Sequence, residues 1–213
     1  MRLDWDVGGD YGEAGDGDAL RAMIEEAIAA LPREHVRQLG GVHVLDEDPK
    51  GVALGIWRHD HAGAAIEIYL GPHVSPLLGL PPAVRHFALR LHLAYTLFHE
   101  VGHHVTRVLN RRAVPPRKAA RVDEKIERWA DDYAEKRLAR LVARWLQPGG
   151  AADAPAARRA LSQALRALRL EAVVSLEDAA PASTAAEAEK AAEAEKAAEI
   201  GRPAGTMAGG GAS

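Results

Sequence analysis

The sequence predicts an α+β domain with a small mixed sheet packed against helices, and three observations carry that expectation. Short extended runs at 42–45, 52–57 and 64–70 are separated by polar Asp, Pro and Gly turns. Two long windows then place apolar residues at helical steps, at 83–109 and 117–146. The composition, 47% hydrophobic and 27% charged over 213 residues, suits one globular domain with some additional sequence.

Taken in order, residues 1–17 carry Gly8, Gly9, Gly12, Gly15 and Gly17 and read as a flexible lead-in. Asp18 is the expected N-cap of a first helix with Leu20, Met23, Ile24, Ala27, Ile28 and Leu31 on one face, ended by Pro32. Among the extended runs, 64–70 is the most informative, because Ile66, Ile68 and Leu70 alternate with Glu67 and Tyr69 as in a strand with one buried face. The helical window after Pro81-Pro82 holds Phe87, Leu91, Ala94, Phe98, Val101, Val105 and Leu109, and Pro115-Pro116 closes it. The next helix carries Val122, Ile126, Trp129, Ala130, Tyr133, Leu138, Leu141, Val142 and Trp145, and an amphipathic segment at 156–172 packs on the domain. The domain is thus expected over 18–178. Residues 179–213, with AEAEKA in tandem at 186–197 and a glycine-rich end, lack an apolar stripe and read as a disordered or transiently helical tail.

Charge and residue usage narrow the function classes. With 27 Lys+Arg against 30 Asp+Glu the net charge is −3, and no basic stretch interleaves with aromatics, so no nucleic-acid partner is expected. There is no Cys, which removes disulfides, thiolate metal sites and a thiol nucleophile, and leaves His and carboxylates to hold any metal. The acidic N-terminus is not a secretory signal, and the apolar stretch FALRLHLAYTLF is broken by Arg90 and His92 and too short for a bilayer. A soluble, cytoplasmic protein without a membrane partner is expected.

The chemistry concentrates in FHEVGHHV, residues 98–105. Positions i and i+4 of a helix share a face, so His99 and His103 can aim imidazole nitrogens at one point. Glu100, about 100° round the helix from His99, is placed to serve as a base rather than as a ligand. A third ligand must come from elsewhere, and ERWAD begins 24 residues after His103. Glu127 and Asp131 again lie one turn apart, so the first can ligate and the second can accept the free N–H of a ligating histidine. Glu124, one turn earlier, is the alternative ligand, and helix phase favours Asp131 over Asp132 as the acceptor. Two imidazoles and one carboxylate leave a fourth position for water, whose proton Glu100 would take.

HEVGH followed by ERWADDYA resembles the gluzincin-type zinc metallopeptidases, in which HExxH is completed by a downstream ExxA[ND]-type helix. The pattern is most similar to the ImmA/IrrE-type metallopeptidases, with the ExxAD peptidases related to the Ste24 membrane proteases second; the chain lacks a transmembrane segment and a separate helix-turn-helix module. The resemblance covers about residues 42–146 and rests on the two motifs. It implies a zincin-like fold with the HExxH helix beneath the sheet and one zinc ion per chain held by His99, His103 and Glu127. It further implies Glu100 as general base, Asp131 supporting a ligand, and a protein or peptide substrate. The strand at 64–70 would then be the edge beside the cleft, where an extended substrate pairs.

The remaining residues receive plainer expectations. His104 faces away from the ligand pair, and Tyr133 suits core packing. Gly102 lowers helix propensity by up to about 1 kcal/mol relative to Ala, which points to close packing at that turn. His35, His43, His59, His61, His73, His86 and His92 show no ligand spacing. Tyr69, Tyr95, His92 and Tyr133 are candidate donors to a developing oxyanion. The competing class is a catalytically silent regulatory or binding module with a structural metal, for which the non-ligand Glu100 has no use.

Overall fold

Four strands form one sheet in the computed structural model, which describes residues 1–9, 11, 16–51, 53–60, 63–109 and 119–174. They are β1 (Arg2–Asp6), β2 (Leu39–Leu45), β3 (Gly55–Asp60) and β4 (Gly63–Tyr69), in the lateral order β1-β2-β4-β3. β1 pairs with β2 and β2 with β4 in parallel, while β3 runs antiparallel to β4. The sheet is mixed, as the sequence suggested, but 64–70 is not its edge. β4 lies between β2 and β3, Leu70 opens a short helix, and among the described residues β1 and β3 are the sheet's two margins, β3 being the one beside the motif helix. Alternation records which face of a strand is wet; it carries no information about lateral neighbours, which is why the edge was misplaced. Even the wetter face of β4 is partnered, since Glu67 accepts from the Tyr69 hydroxyl and pairs with Arg58 of β3 at 2.7 Å.

The lead-in also differs from expectation. Arg2–Asp6 is a strand whose Leu3 and Trp5 pack on the core. The glycines beyond it are tied down, because the Asp46 carboxylate accepts from the amides of Gly8 (2.9 Å) and Gly9 (3.1 Å) and from the Tyr11 hydroxyl (2.7 Å). Those bonds hold the Asp46 carboxyl below its ordinary range, and burial together with Asp46 pushes the Tyr11 phenol upward. No local pattern announces a partner 35 to 38 residues away. α1 (Gly17–Ala29) starts earlier than expected, with Asp16 rather than Asp18 as its cap: Asp16 Oδ1 accepts from the Ala19 amide at 2.7 Å. Asp18 remains in the first turn, where a carboxylate suits the helix dipole.

After β4 come α2 (Leu70–Val74), a single 3-10 turn at Ser75–Leu77, and α3 (Pro82–His104). Proline at the start of α3 costs no hydrogen bond there. Its residues are buried nearly all round, with Leu89, Leu91, Phe98 and Val101 at 0% exposure, because α1, α4, α5 and the sheet all pack on it. Arg90, the charge inside the apolar run, is neutralised by Glu26 at 2.6 Å and lies over the Trp145 ring at 4.4 Å. A π-helical turn, Val105–Leu109, extends α3. α4 (Ala119–Trp145) and α5 (Pro155–Ala167) complete the described elements, and α4 crosses α3 with Ala130 against Gly102. Pro115-Pro116 and the tail at 179–213 lie outside the described residues. Among the described residues, no helix is long and apolar enough to cross a membrane.

Candidate metal centre

α3 and α4 together build the site. One turn of α3 separates His99 from His103, and the two rings sit edge to face with centroids 4.7 Å apart. From α4, Glu127 reaches both: its Oε2 is 3.3 Å from His99 Nε2 and 3.4 Å from His103 Nε2, while the two Nε2 atoms are 3.1 Å apart. Asp131, one turn on, places Oδ1 2.9 Å from His99 Nδ1 and also accepts from the Tyr95 hydroxyl at 3.2 Å. A carboxylate only accepts, so His99 carries its proton on Nδ1 and turns a bare Nε2 lone pair toward His103 and Glu127. Burial pushes His103 below its ordinary value, which favours neutral imidazole there.

These three donor atoms fit a metal. A tetrahedral zinc with bonds of 2.0–2.1 Å spaces its ligand atoms about 3.3 Å apart, and the observed separations are 3.1, 3.3 and 3.4 Å. His99, His103 and Glu127 also form the described cluster able to hold a cation, whereas Glu124 and Asp132 do not join it. His103 Nδ1 is buried without a hydrogen-bond partner among the described residues, unlike His99 Nδ1, which Asp131 holds. Two nitrogens and one carboxylate oxygen, with no thiolate, are the donor set of a catalytic rather than a structural zinc.

Glu100 stands beside this triangle and does not enter it. It is 8% exposed, and its Oε2 accepts from the Trp57 amide of β3 at 2.7 Å. Burial raises its pKa from 4.5 to about 7, only partly offset by His99 and the Trp57 bond. The edge strand approaches so closely because residue 55 is glycine: a Cβ there would lie 2.7 Å from Thr96 Cγ2 and 3.3 Å from Glu100 Cγ. Between β3 and the motif helix runs a cleft of about 360 Å³, walled by Gly55, Ile56 and Trp57 on one side and by His99, Glu100, His103 and Arg107 on the other, with Glu127 at its mouth.

The proposed oxyanion donors fall elsewhere. Tyr69 is fully buried against Glu67, Tyr133 bonds to His35 Nδ1 at 2.7 Å, and His92 packs on the buried His73 with ring centroids 4.6 Å apart. Tyr95 is engaged with Asp131 behind His99. His104 supports the edge strand, accepting from Trp57 Nε1–H at 3.4 Å and donating to the Arg37 carbonyl at 2.8 Å. Gly55, Ile56, Trp57 and Arg107 are cleft residues that the sequence reading did not single out, and Arg107 is the charged one among them. Its signal was present, since His99, His103 and Arg107 form an i, i+4, i+8 row.

Comparison of the chain with family models, with curated proteins and with solved structures gave no match.

Proposed function

We propose that this chain is a zinc-dependent metallopeptidase of the gluzincin type, zincin-like in fold and nearest in pattern to the ImmA/IrrE peptidases, acting in the cytoplasm on protein or peptide substrates. The observation that carries the reading is the pairing of a His-His-Glu triangle at 3.1–3.4 Å with a buried carboxylate outside it. His99, His103 and Glu127 would hold zinc, which when bound would supply a Lewis acid and lower the pKa of water toward neutrality.

The chain's own groups do the rest. Asp131 fixes the His99 tautomer and ring direction. Trp57 N–H holds Glu100 Oε2, so Oε1 is the oxygen that takes the proton of the attacking water and returns it to the leaving amine. A carboxyl poised at about 7 exchanges that proton efficiently at neutral pH. Peptide selection rests on β3. Leu54 C=O accepts from the Tyr69 amide, so by antiparallel alternation Gly55 and His59 turn both main-chain groups away from β4; Trp57 turns its carbonyl the same way, its N–H being held by Glu100. An extended substrate pairs with that margin, above the metal ligands.

Glu100→Gln tests the reading. With zinc content unchanged, hydrolysis of susceptible peptides should fall by roughly 10²–10⁴-fold. A variant that turns over as fast as the parent removes Glu100 from the chemistry; a zinc-loaded parent that hydrolyses no peptide removes the peptidase.

A further inference from the structure

Arg107 is exposed in the π-helical turn that follows the motif helix and lines the same cleft as the proposed ligands. Its guanidinium lies over the Trp57 indole, 5.6 Å from the ring centroid. Trp57 is itself pinned at both ends, by its main-chain bond to Glu100 and by the Trp57 Nε1–H bond to His104, whose other nitrogen is anchored to the Arg37 carbonyl. The arginine therefore has a rigid aromatic platform at a fixed place on the substrate-facing margin. Although Glu100 and Glu127 line the same cleft, Arg107 forms no ion pair with any carboxylate among the described residues, whereas Arg58 and Arg90 are each neutralised by a glutamate. A stacked guanidinium keeps its planar fork of N–H donors free for a bidentate acceptor. π-helical turns also occur often at functional positions, because the extra residue redirects side chains that a regular helix would place elsewhere.

Resting on the peptidase reading above, we propose that Arg107 determines specificity by binding a carboxylate of the substrate, so that the enzyme cleaves at a fixed distance from an acidic group. Aspartate or glutamate side chains and a free C-terminal carboxylate offer the same chemistry. Removing the guanidinium should therefore act on KM for acidic substrates and leave neutral ones little changed. His104 and the Trp57 indole are positioning groups in this scheme.

The test is cleavage of a degenerate peptide library by the zinc-loaded protein, offered with free and amidated C-termini, for wild type, Arg107→Lys, Arg107→Gln and Arg107→Glu. The expected result is acidic enrichment at one position in the wild type, lost by tenfold or more in Arg107→Gln, inverted toward Lys and Arg in Arg107→Glu and partly kept in Arg107→Lys. Enrichment that vanishes on amidation assigns the carboxylate to the C-terminus; enrichment that survives assigns it to a side chain. Cleavage with no acidic preference, or a uniform fall in kcat across all peptides, overturns the proposal while leaving the peptidase intact. Should the wild type cleave nothing, the peptidase reading fails and the carboxylate claim is decided separately by the Arg107 side-chain NMR signals in metal-stripped protein. A saturable shift with glutarate but not with glutaramide supports it; no shift with either ends it.

Discussion

Glu100 is held with most of its surface out of water and a single amide donor, that of Trp57, on Oε2. Its folded pKa of about 7 lies above the ordinary 4.5, so the fold favours the neutral carboxyl. Below pH 4.5 that preference costs nothing. As pH rises from 4.5 through about 7 the folded protein must ionise a desolvated group, and the loss of stability is complete above the folded value. Glutamine never ionises. In the presence of a chelator, Glu100→Gln should therefore gain stability relative to wild type as pH rises, by up to about 3 kcal/mol between pH 4.5 and 8. Thermal unfolding of both proteins across that range reads the difference directly. A gap that stays flat with pH would mean that the carboxylate is solvated and poorly matched to proton transfer near neutrality. Neighbouring Asp131 shows how a residue outside the His99-His103-Glu127 triangle still shapes it, since its bond to His99 Nδ1 decides which imidazole nitrogen faces His103 and Glu127.

The two helices meet where neither has a large side chain. A Cβ on Gly102 would stand 2.9 Å from Ala130 Cα, so the glycine sets the closest approach of α3 to α4 and thereby the reach of Glu127 and Asp131, which flank Ala130. Gly102→Ala should raise local helix propensity and still weaken the site, because α4 has to retreat: zinc affinity is expected to fall roughly tenfold or more. Gly79→Ala is the control, since nothing lies within 4 Å of a Cβ added there. Competition with a chromophoric chelator compares the two, and equal affinities would mean that the crossing does not govern the ligands. This contact was half-visible in the sequence, where a glycine inside a strong helical window signalled a neighbour without naming it. The motif geometry was more fully visible, because i, i+4 spacing is a property of the helix alone and brought His99 and His103 together, and Glu127 and Asp131 together, before any tertiary contact was known. The lateral order of the strands, the capping of α1 by Asp16 and the strand at Arg2–Asp6 were not, since each depends on partners that local patterns do not specify.

Across the described residues, the central helix α3 carries both much of the core and the candidate site. Leu89, Leu91, Phe98 and Val101 are fully buried between sheet and helices, while His99 and Glu100, beside Phe98 in sequence, open onto the cleft. The edge strand fixes Glu100 from one side and α4 brings Glu127 from the other, so α3 and α4 must pack before the three donor atoms meet and β3 must join them to complete the site. A metal bound by such a site binds the native chain and not the unfolded one, and its retention reports the whole arrangement. Elemental analysis of the purified protein beside His103→Ala and Glu127→Ala is accordingly the most direct measurement. About one zinc per chain in the wild type and none in either variant is the expected result. Wild type without zinc after zinc loading, or zinc that survives Glu127→Ala, would contradict it.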